Sequence, residues 1–186
     1  MRKQFDSPRS GKAKYLATAA AGLLSANLAA QTMEDFVISE EAAKRTLNRA
    51  EISVGTAEEI AKACVAYAED NDIAIALFVV GPSGNVIYAY RMDGQNPIAG
   101  ETALLKARTA LDNRQSTRAL AELPPRFLPA YYYLDQFPFV GGFPITVGDQ
   151  LIGAIGVGGG SDDQEEECAY SALTSVIGPQ VWAAEE

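Results

Sequence analysis

A run of polar side chains at helical spacing lies in the segment Ala99–Asn113. It consists of Thr102, Lys106, Thr109 and Asn113, at steps of four, three and four residues. These residues therefore share one face of a helix. A lysine beside hydroxyl groups in a cleft can pair with an anionic ligand, or shift its pKa when it is desolvated. The alternative is that Lys106 is solvated on an exposed helix face, as most lysines are.

The second candidate region is the proline-rich segment Pro124–Pro138 and the residue that follows it. Six aromatic residues occur within thirteen positions: Phe127, Tyr131, Tyr132, Tyr133, Phe137 and Phe139. Exposing such a cluster to water is costly, so it covers a ligand, forms a subunit interface or packs on its own domain. All three interpretations stay open.

Two glycine-rich segments accompany predicted strands. Gly141, Gly142 and Pro144 form the first, where two glycines permit either a tight corner or the close approach of a ligand. The second, Gly153–Gly160, lacks a phosphate-binding signature and is followed by two aspartates where a phosphate would have to lie. We therefore exclude a nucleotide site and expect this strand to pack closely against a helix.

The composition excludes several classes of function. None of the 186 residues is histidine, so the chain has no Ser-His-Asp or Cys-His catalytic pair, no His-ligated zinc and no imidazole-bound haem. Cys64 and Cys168 either form one disulfide or remain buried thiols, and we favour buried thiols. The net charge is +4 over residues 1–14 and −13 over the rest. Such an acidic body repels phosphate backbones, so we expect no nucleic-acid partner.

The surrounding pattern predicts an α+β domain. Helices are expected over Ser39–Ser53, Thr56–Asn71 and Ala99–Asn113, and after a capping box of Ser161 and Gln164. Two β-hairpins are expected over Ile73–Met92 and Phe143–Val157, with a short helical turn near 116–117 and an irregular, proline-rich segment at 124–138. Antiparallel hairpins with helices before, between and after them form one sheet flanked by helices.

Four blocks of sequence occur together in the order and spacing of one known family. They are Ala76–Asp93, Leu105–Ala110, Gly141–Ile145 and Leu151–Ala169. With these blocks the chain resembles the GlcG/HbpS family over roughly Ser39–Ile177. The resemblance implies a single domain with a profilin-like fold, an antiparallel sheet flanked by helices. It also implies a homo-oligomer, from a dimer up to an octamer.

The motifs of that family fall on particular residues of this chain. Its lysine motif falls on Lys106, its arginine motif on Arg91 to Gly94, and its glycine motif on Gly141 to Pro144. Glu165 stands where the family's last helix has an aspartate. The resemblance implies that these segments surround a ligand pocket. Together with the polar helix face and the tyrosines, the predicted ligand-binding residues are Arg91, Asp93, Thr102, Lys106, Thr109, Tyr131, Tyr132, Tyr133, Gly141, Gly142, Pro144 and Glu165.

Three functions are compatible with these residues. The first, which we favour, is binding of a haem-like or other aromatic small molecule near Lys106 and the tyrosines. Haem is implied by the resemblance, and without histidine its iron would need Tyr, Cys, Met or Lys as a ligand. The second is a cofactor-independent isomerase or lyase, with Lys106 and Tyr132 or a carboxylate as acid and base. The third is an oligomeric accessory protein. No metal site is predicted.

Residues 1–30 differ from the rest of the chain. The segment Ala17–Ala30 is uncharged, rich in small residues and preceded by a basic stretch, an order that resembles a secretory signal. It is too short and too weakly hydrophobic for a transmembrane helix. We predict a signal peptide and a periplasmic or secreted protein. The alternative is a basic, Ala-rich tail retained in the cytoplasm. In either case residues 31–186 are predicted to form the GlcG/HbpS-like domain.

Deleting residues 1–30 should leave the melting temperature of the protein within a few degrees of the full-length value, because this segment contributes nothing to the predicted core. Thermal unfolding followed by circular dichroism measures the difference. Loss of solubility or of the oligomer on deletion would show instead that the segment packs on the domain.

Overall fold

The computed structural model describes residues 50–180. The chain divides into two units, Met1–Thr46 and Leu47–Glu186, and all the helices and strands described below belong to the second. The predicted signal segment and most of the predicted helix Ser39–Ser53 lie outside the described residues. The predicted end of that helix at Ser53 is wrong, because residues 50–53 are not helical.

Residues 50–180 form five α-helices and four β-strands. The helices are α1 (Val54–Asp70), α2 (Pro97–Asn113), α3 (Thr117–Ala121), α4 (Leu128–Tyr133) and α5 (Asp162–Val176). The strands are β1 (Ala76–Val80), β2 (Val86–Arg91), β3 (Gly142–Val147) and β4 (Gln150–Gly158). Within this part of the chain, no helix is long and apolar enough to cross a membrane.

The strands form one antiparallel sheet in the order β2-β1-β4-β3. Both predicted hairpins are present, and β4 joins them by pairing with β1 on one side and β3 on the other. Phe78 of β1 lies opposite Gly156 of β4, and Gly142 of β3 lies opposite the same glycine. The predicted α+β fold, with an antiparallel sheet flanked by helices, is confirmed.

Side-chain capping marks the start of several helices. The predicted capping box of Ser161 and Gln164 is confirmed at the start of α5. Helix α1 begins earlier than predicted, because the Ser53 hydroxyl accepts a hydrogen bond from the Thr56 backbone N–H at 3.1 Å. The proline-rich segment is not wholly irregular as expected. Pro125 and Pro129 fall in the first turns of a 3-10 helix (Pro125–Phe127) and of α4, where the missing N–H costs no hydrogen bond. Pro138 lies outside these helices, in an irregular stretch.

One face of the sheet packs against α1 and α5 and forms the main hydrophobic core. Cys64 of α1 and Cys168 of α5 are fully buried there and form a disulfide, with Cα atoms 4.8 Å apart. The preferred interpretation of two buried thiols is therefore wrong. The two helix backbones come this close because their contact is lined by alanines: Ala57, Ala61, Ala68, Ala169 and Ala172.

Helix α2 covers the opposite face, and its backbone lies directly on the glycines of β3 and β4. A Cβ atom at Gly156 would lie 2.1 Å from the Ala103 carbonyl oxygen, and one at Gly158 would lie 2.4 Å from the Ala99 carbonyl oxygen. At Gly142 it would lie 2.5 Å from the Lys106 carbonyl oxygen. No side chain larger than hydrogen fits at these positions. The predicted close packing of the glycine-rich strand against a helix is confirmed.

The substitution Gly156→Ala should lower the free energy of unfolding by about 1–3 kcal/mol, the usual cost of overfilling a packed interior. The added methyl group would press against backbone, which cannot rotate away as a side chain can. Urea unfolding measures the loss. The matched control is Gly55→Ala in α1, where a Cβ atom meets only the Ser53 hydroxyl at 3.9 Å. That variant should be as stable as the wild type or slightly more stable, and equal losses in the two variants would contradict the packing argument.

Candidate functional site

The centre of the predicted site is a buried ion pair. The Lys106 ammonium on α2 contacts the Glu165 carboxylate on α5, and it also donates a hydrogen bond to the Val157 carbonyl oxygen at 3.2 Å. The two side chains are 5% and 6% exposed. The other carboxylate oxygen of Glu165 accepts the Gly159 backbone N–H at 2.7 Å. Lys106 is thus neither solvated nor open to a cleft within the described residues.

The glycine motif is shaped to fit around this pair. Gly141 has a φ of +110°, and a Cβ atom there would lie 2.9 Å from the Val157 carbonyl oxygen and 3.0 Å from the Glu165 Cβ. The Gly142 backbone N–H donates to the Thr117 hydroxyl at 2.8 Å. Both glycines therefore let β3 pass next to the ion pair. Thr117 was not among the predicted site residues, although it lies in the short helical turn predicted near 116–117.

Burial raises the pKa of the Glu165 carboxyl, because taking the charged form out of water costs free energy. The Lys106 ammonium and the Gly159 N–H act in the opposite direction by stabilising the carboxylate. A pair in this setting fixes the relative position of two helices, because either charge left alone would be strongly unfavourable.

The rest of the polar face of α2 holds the aromatic segment. The Thr109 hydroxyl is buried and accepts the Phe137 backbone N–H at 2.7 Å. The Asn113 side-chain amide donates to the Gln136 side-chain oxygen at 3.1 Å. Thr102 donates to the Ala99 carbonyl oxygen within its own helix. Helix α2 therefore fixes the chain where it returns from α4.

Between this anchor and α4 lies a cleft of about 430 Å³, which we call the aromatic cleft. Its lining residues are Asn113, Leu123, Phe127, Ala130, Tyr131, Leu134 and Gln136. Tyr131 is partly buried in the wall, whereas the side chains of Tyr132 and Tyr133 point outward from α4 and are 49% and 88% exposed. The cleft combines apolar walls with a phenol and two amides.

The remaining predicted residues lie elsewhere. Arg91 lines a different cavity beside β2, Asp93 is exposed in the turn before α2, and Pro144 lines a cavity of about 370 Å³ at the far end of β3. The structure thus brings Lys106, Gly141, Gly142 and Glu165 together and places Tyr131 in a separate cleft. In residues 50–180, no group of three or more Cys, Asp or Glu side chains could hold a metal ion.

The comparison with known proteins agrees with this architecture. The family model described as "Haem degrading protein HbpS-like" matches residues 52–174. The chain belongs to the HbpS-like family. It is 31% identical over 129 residues to an uncharacterized 15.0 kDa protein from the dhaT-dhaS intergenic region of Citrobacter freundii, over 67% of this chain and 91% of that one. It is 32% identical over 91 residues to protein GlcG of Escherichia coli K12, over 48% of this chain and 68% of that one.

Solved structures of this family have the same fold. The crystal structure of HbpS matches with a TM-score of 0.69 at 27% identity, over 76% of this chain and 99% of that one. The haem complex of PduOC matches with a TM-score of 0.64 at 23% identity, over 70% of this chain and 99% of that one. The predicted membership of the GlcG/HbpS family is confirmed.

Replacing Lys106 by methionine should lower the free energy of unfolding at neutral pH by about 3–5 kcal/mol, because Glu165 is left buried without its cation. The double variant Lys106→Met, Glu165→Leu should recover most of this loss, since two apolar side chains need no partner. Urea unfolding of the wild type, both single variants and the double variant measures the coupling between the two positions.

The loss in Lys106→Met should also depend on pH in a defined direction. Burial already raises the Glu165 pKa above 4.5, and removing Lys106 raises it further. The folded variant then binds a proton more tightly than the unfolded chain, so the loss is greatest at neutral pH and shrinks as the pH falls toward 4.5. If Lys106→Met lost the same free energy of unfolding at neutral pH and near pH 4.5, the two side chains would not be coupled. The same would follow if the losses in the two single variants added up to the loss in the double variant.

Proposed function

We propose that this protein binds a haem-like or other flat aromatic small molecule in the aromatic cleft. The observation that carries the proposal is the cleft itself: about 430 Å³, with apolar and aromatic walls and a few polar groups that converge on it. This volume and this mixture are typical of small-molecule sites. The HbpS-like family is described by haem chemistry, and its solved PduOC member is a haem complex.

The arrangement of the cleft suits a ligand that is apolar on its faces. Phe127 and Leu134 offer apolar contact, and both keep part of their surface exposed to water. A bound flat molecule would cover this surface, which favours binding through the hydrophobic effect. The hydrogen bonds from the Phe137 backbone N–H to Thr109 and from the Asn113 amide to Gln136 hold the opposite wall in place. Little conformational entropy is therefore lost when a ligand binds.

The residues present fit haem in one particular way. A bound haem would supply an iron that can accept an oxygen ligand, and Tyr131, whose side chain carries a phenol, is the residue of the cleft lining that would hold it. The Arg126 guanidinium lies 5.0 Å from the centre of the Phe127 ring, so a cation lies next to one of the residues that line the cleft. A cation there suits the carboxylates at the edge of a haem.

Titration with hemin should give a high-spin ferric spectrum with a tyrosinate-to-iron charge-transfer band. The substitution Tyr131→Phe removes the oxygen ligand but keeps the ring, so the band should disappear and the affinity should fall about tenfold or more. Absorption spectroscopy of the wild type and of the variant measures both effects.

Tyr132→Phe is the matched control, because Tyr132 lies on the same helix but does not line the cleft. It should leave the spectrum and the affinity unchanged. A sharp low-spin spectrum of iron with two nitrogen ligands would contradict the proposal, as would a wild-type spectrum in Tyr131→Phe.

A further inference from the structure

We propose that the protein has a second small-molecule site, beside β2, that takes a zwitterionic ligand with an aromatic side group, of the class of the aromatic amino acids. We call it the β2 cavity. Its volume is about 460 Å³, and its lining includes Phe78, Arg91, Gly100, Glu101 and Leu104. Only Arg91 among these residues was expected near a ligand, and none of them lines the aromatic cleft.

The β2 cavity exists because α2 does not cover the whole sheet. The helix packs on β4, β1 and β3. The edge strand β2 lies beyond it, with Ala89 and Arg91 paired opposite Phe78 and Ala76 of β1. The small side chain of Ala89 leaves space above the strand, and Phe78 and Leu104 provide apolar walls. The result is a hollow between the flank of a helix and the uncovered part of a sheet.

Gly100 indicates that this hollow is kept open. It lies within α2, where glycine is less favourable than alanine. Its φ is not positive, and a Cβ atom there would meet only the Phe78 ring, at an ordinary distance of 3.8 Å. The glycines at 142, 156 and 158 are required by contact with backbone, but nothing in the described chain requires glycine at 100. A larger side chain at this position would instead extend into the cavity.

Two opposite charges on the lining define the ligand class. The Arg91 guanidinium donates one hydrogen bond to the Gln95 carbonyl oxygen, and its remaining N–H groups can pair with a carboxylate. Glu101, one residue after Gly100, brings a carboxylate that suits an ammonium group. The other lining residues are mainly apolar and include two aromatic residues, Phe78 and Tyr90. A carboxylate, an ammonium group and an aromatic side group on one small molecule match all three features.

Isothermal titration calorimetry with L-phenylalanine tests the site, with two probes that each lack one charge. The first, 3-phenylpropionate, has no ammonium group, and the second, phenethylamine, has no carboxylate. The wild type should bind phenylalanine more tightly than either. Arg91→Gln should weaken phenylalanine binding about tenfold or more but leave phenethylamine binding unchanged, because this probe has no carboxylate for Arg91. Glu101→Gln should weaken the binding of phenylalanine but leave the binding of 3-phenylpropionate unchanged, because 3-phenylpropionate has no ammonium group for Glu101.

Gly100→Leu should abolish binding of all three probes by filling the cavity. Its circular dichroism and melting temperature should match those of the wild type, since leucine is a good helix former. Arg126→Gln, next to Phe127 of the aromatic cleft, is the control and should bind phenylalanine normally. The Gly100→Leu variant should still bind hemin. The two variants together therefore distinguish a failure of the β2 cavity from a failure of the aromatic cleft.

Three results would overturn the proposal. The first is no detectable binding of phenylalanine at millimolar concentration. The second is equal binding of phenylalanine and 3-phenylpropionate, which would remove Glu101 from the site. The third is a change of molecular mass in Gly100→Leu by light scattering, which would show that the hollow accepts a second copy of the chain and not a small molecule.

Discussion

Contact between the backbone of α2 and the glycines of β3 and β4 determines where every candidate site lies. Because no side chains separate the helix from the sheet at Gly156 and Gly158, the backbone of α2 packs directly against β4. This close packing brings Lys106 to the end of the sheet, where the Glu165 side chain of α5 contacts it. It also leaves β2 uncovered at one side of the helix and fixes the aromatic segment at the other. The ion pair and both cavities therefore lie around a helix whose position this contact sets.

Residues that look like a ligand site in sequence can instead be what holds the fold together. Lys106, Gly141, Gly142 and Glu165 form one connected cluster, in which Gly141 makes room for the Glu165 side chain and Gly142 for the backbone of α2 at Lys106. A ligand role for them stays a prediction, whereas their structural role follows from burial and hydrogen bonding. The cavities are lined mainly by other residues, among them Tyr131 in one and Arg91 in the other.

The sequence predicted the features that depend on neighbours along the chain. Capping by Ser161 and Gln164, the two hairpins and the polar face of α2 are local patterns, and all three are present. The partner of Lys106 lies 59 residues away, and the two cysteines are 104 residues apart. No periodicity encodes such distances. The aromatic cleft was equally hidden, because α4 is a short helix in a segment whose prolines indicated an irregular chain.

The disulfide has a consequence for the covalent integrity of the molecule. The bond between Cys64 and Cys168 closes a ring of chain that contains all four strands and the exposed segment around α4. Exposed loops are preferred sites of proteolysis. A protease that cuts the chain near α4 would nevertheless leave two fragments joined by one covalent bond. A nicked molecule would then keep both halves of its sheet, and the cut would become visible only after reduction.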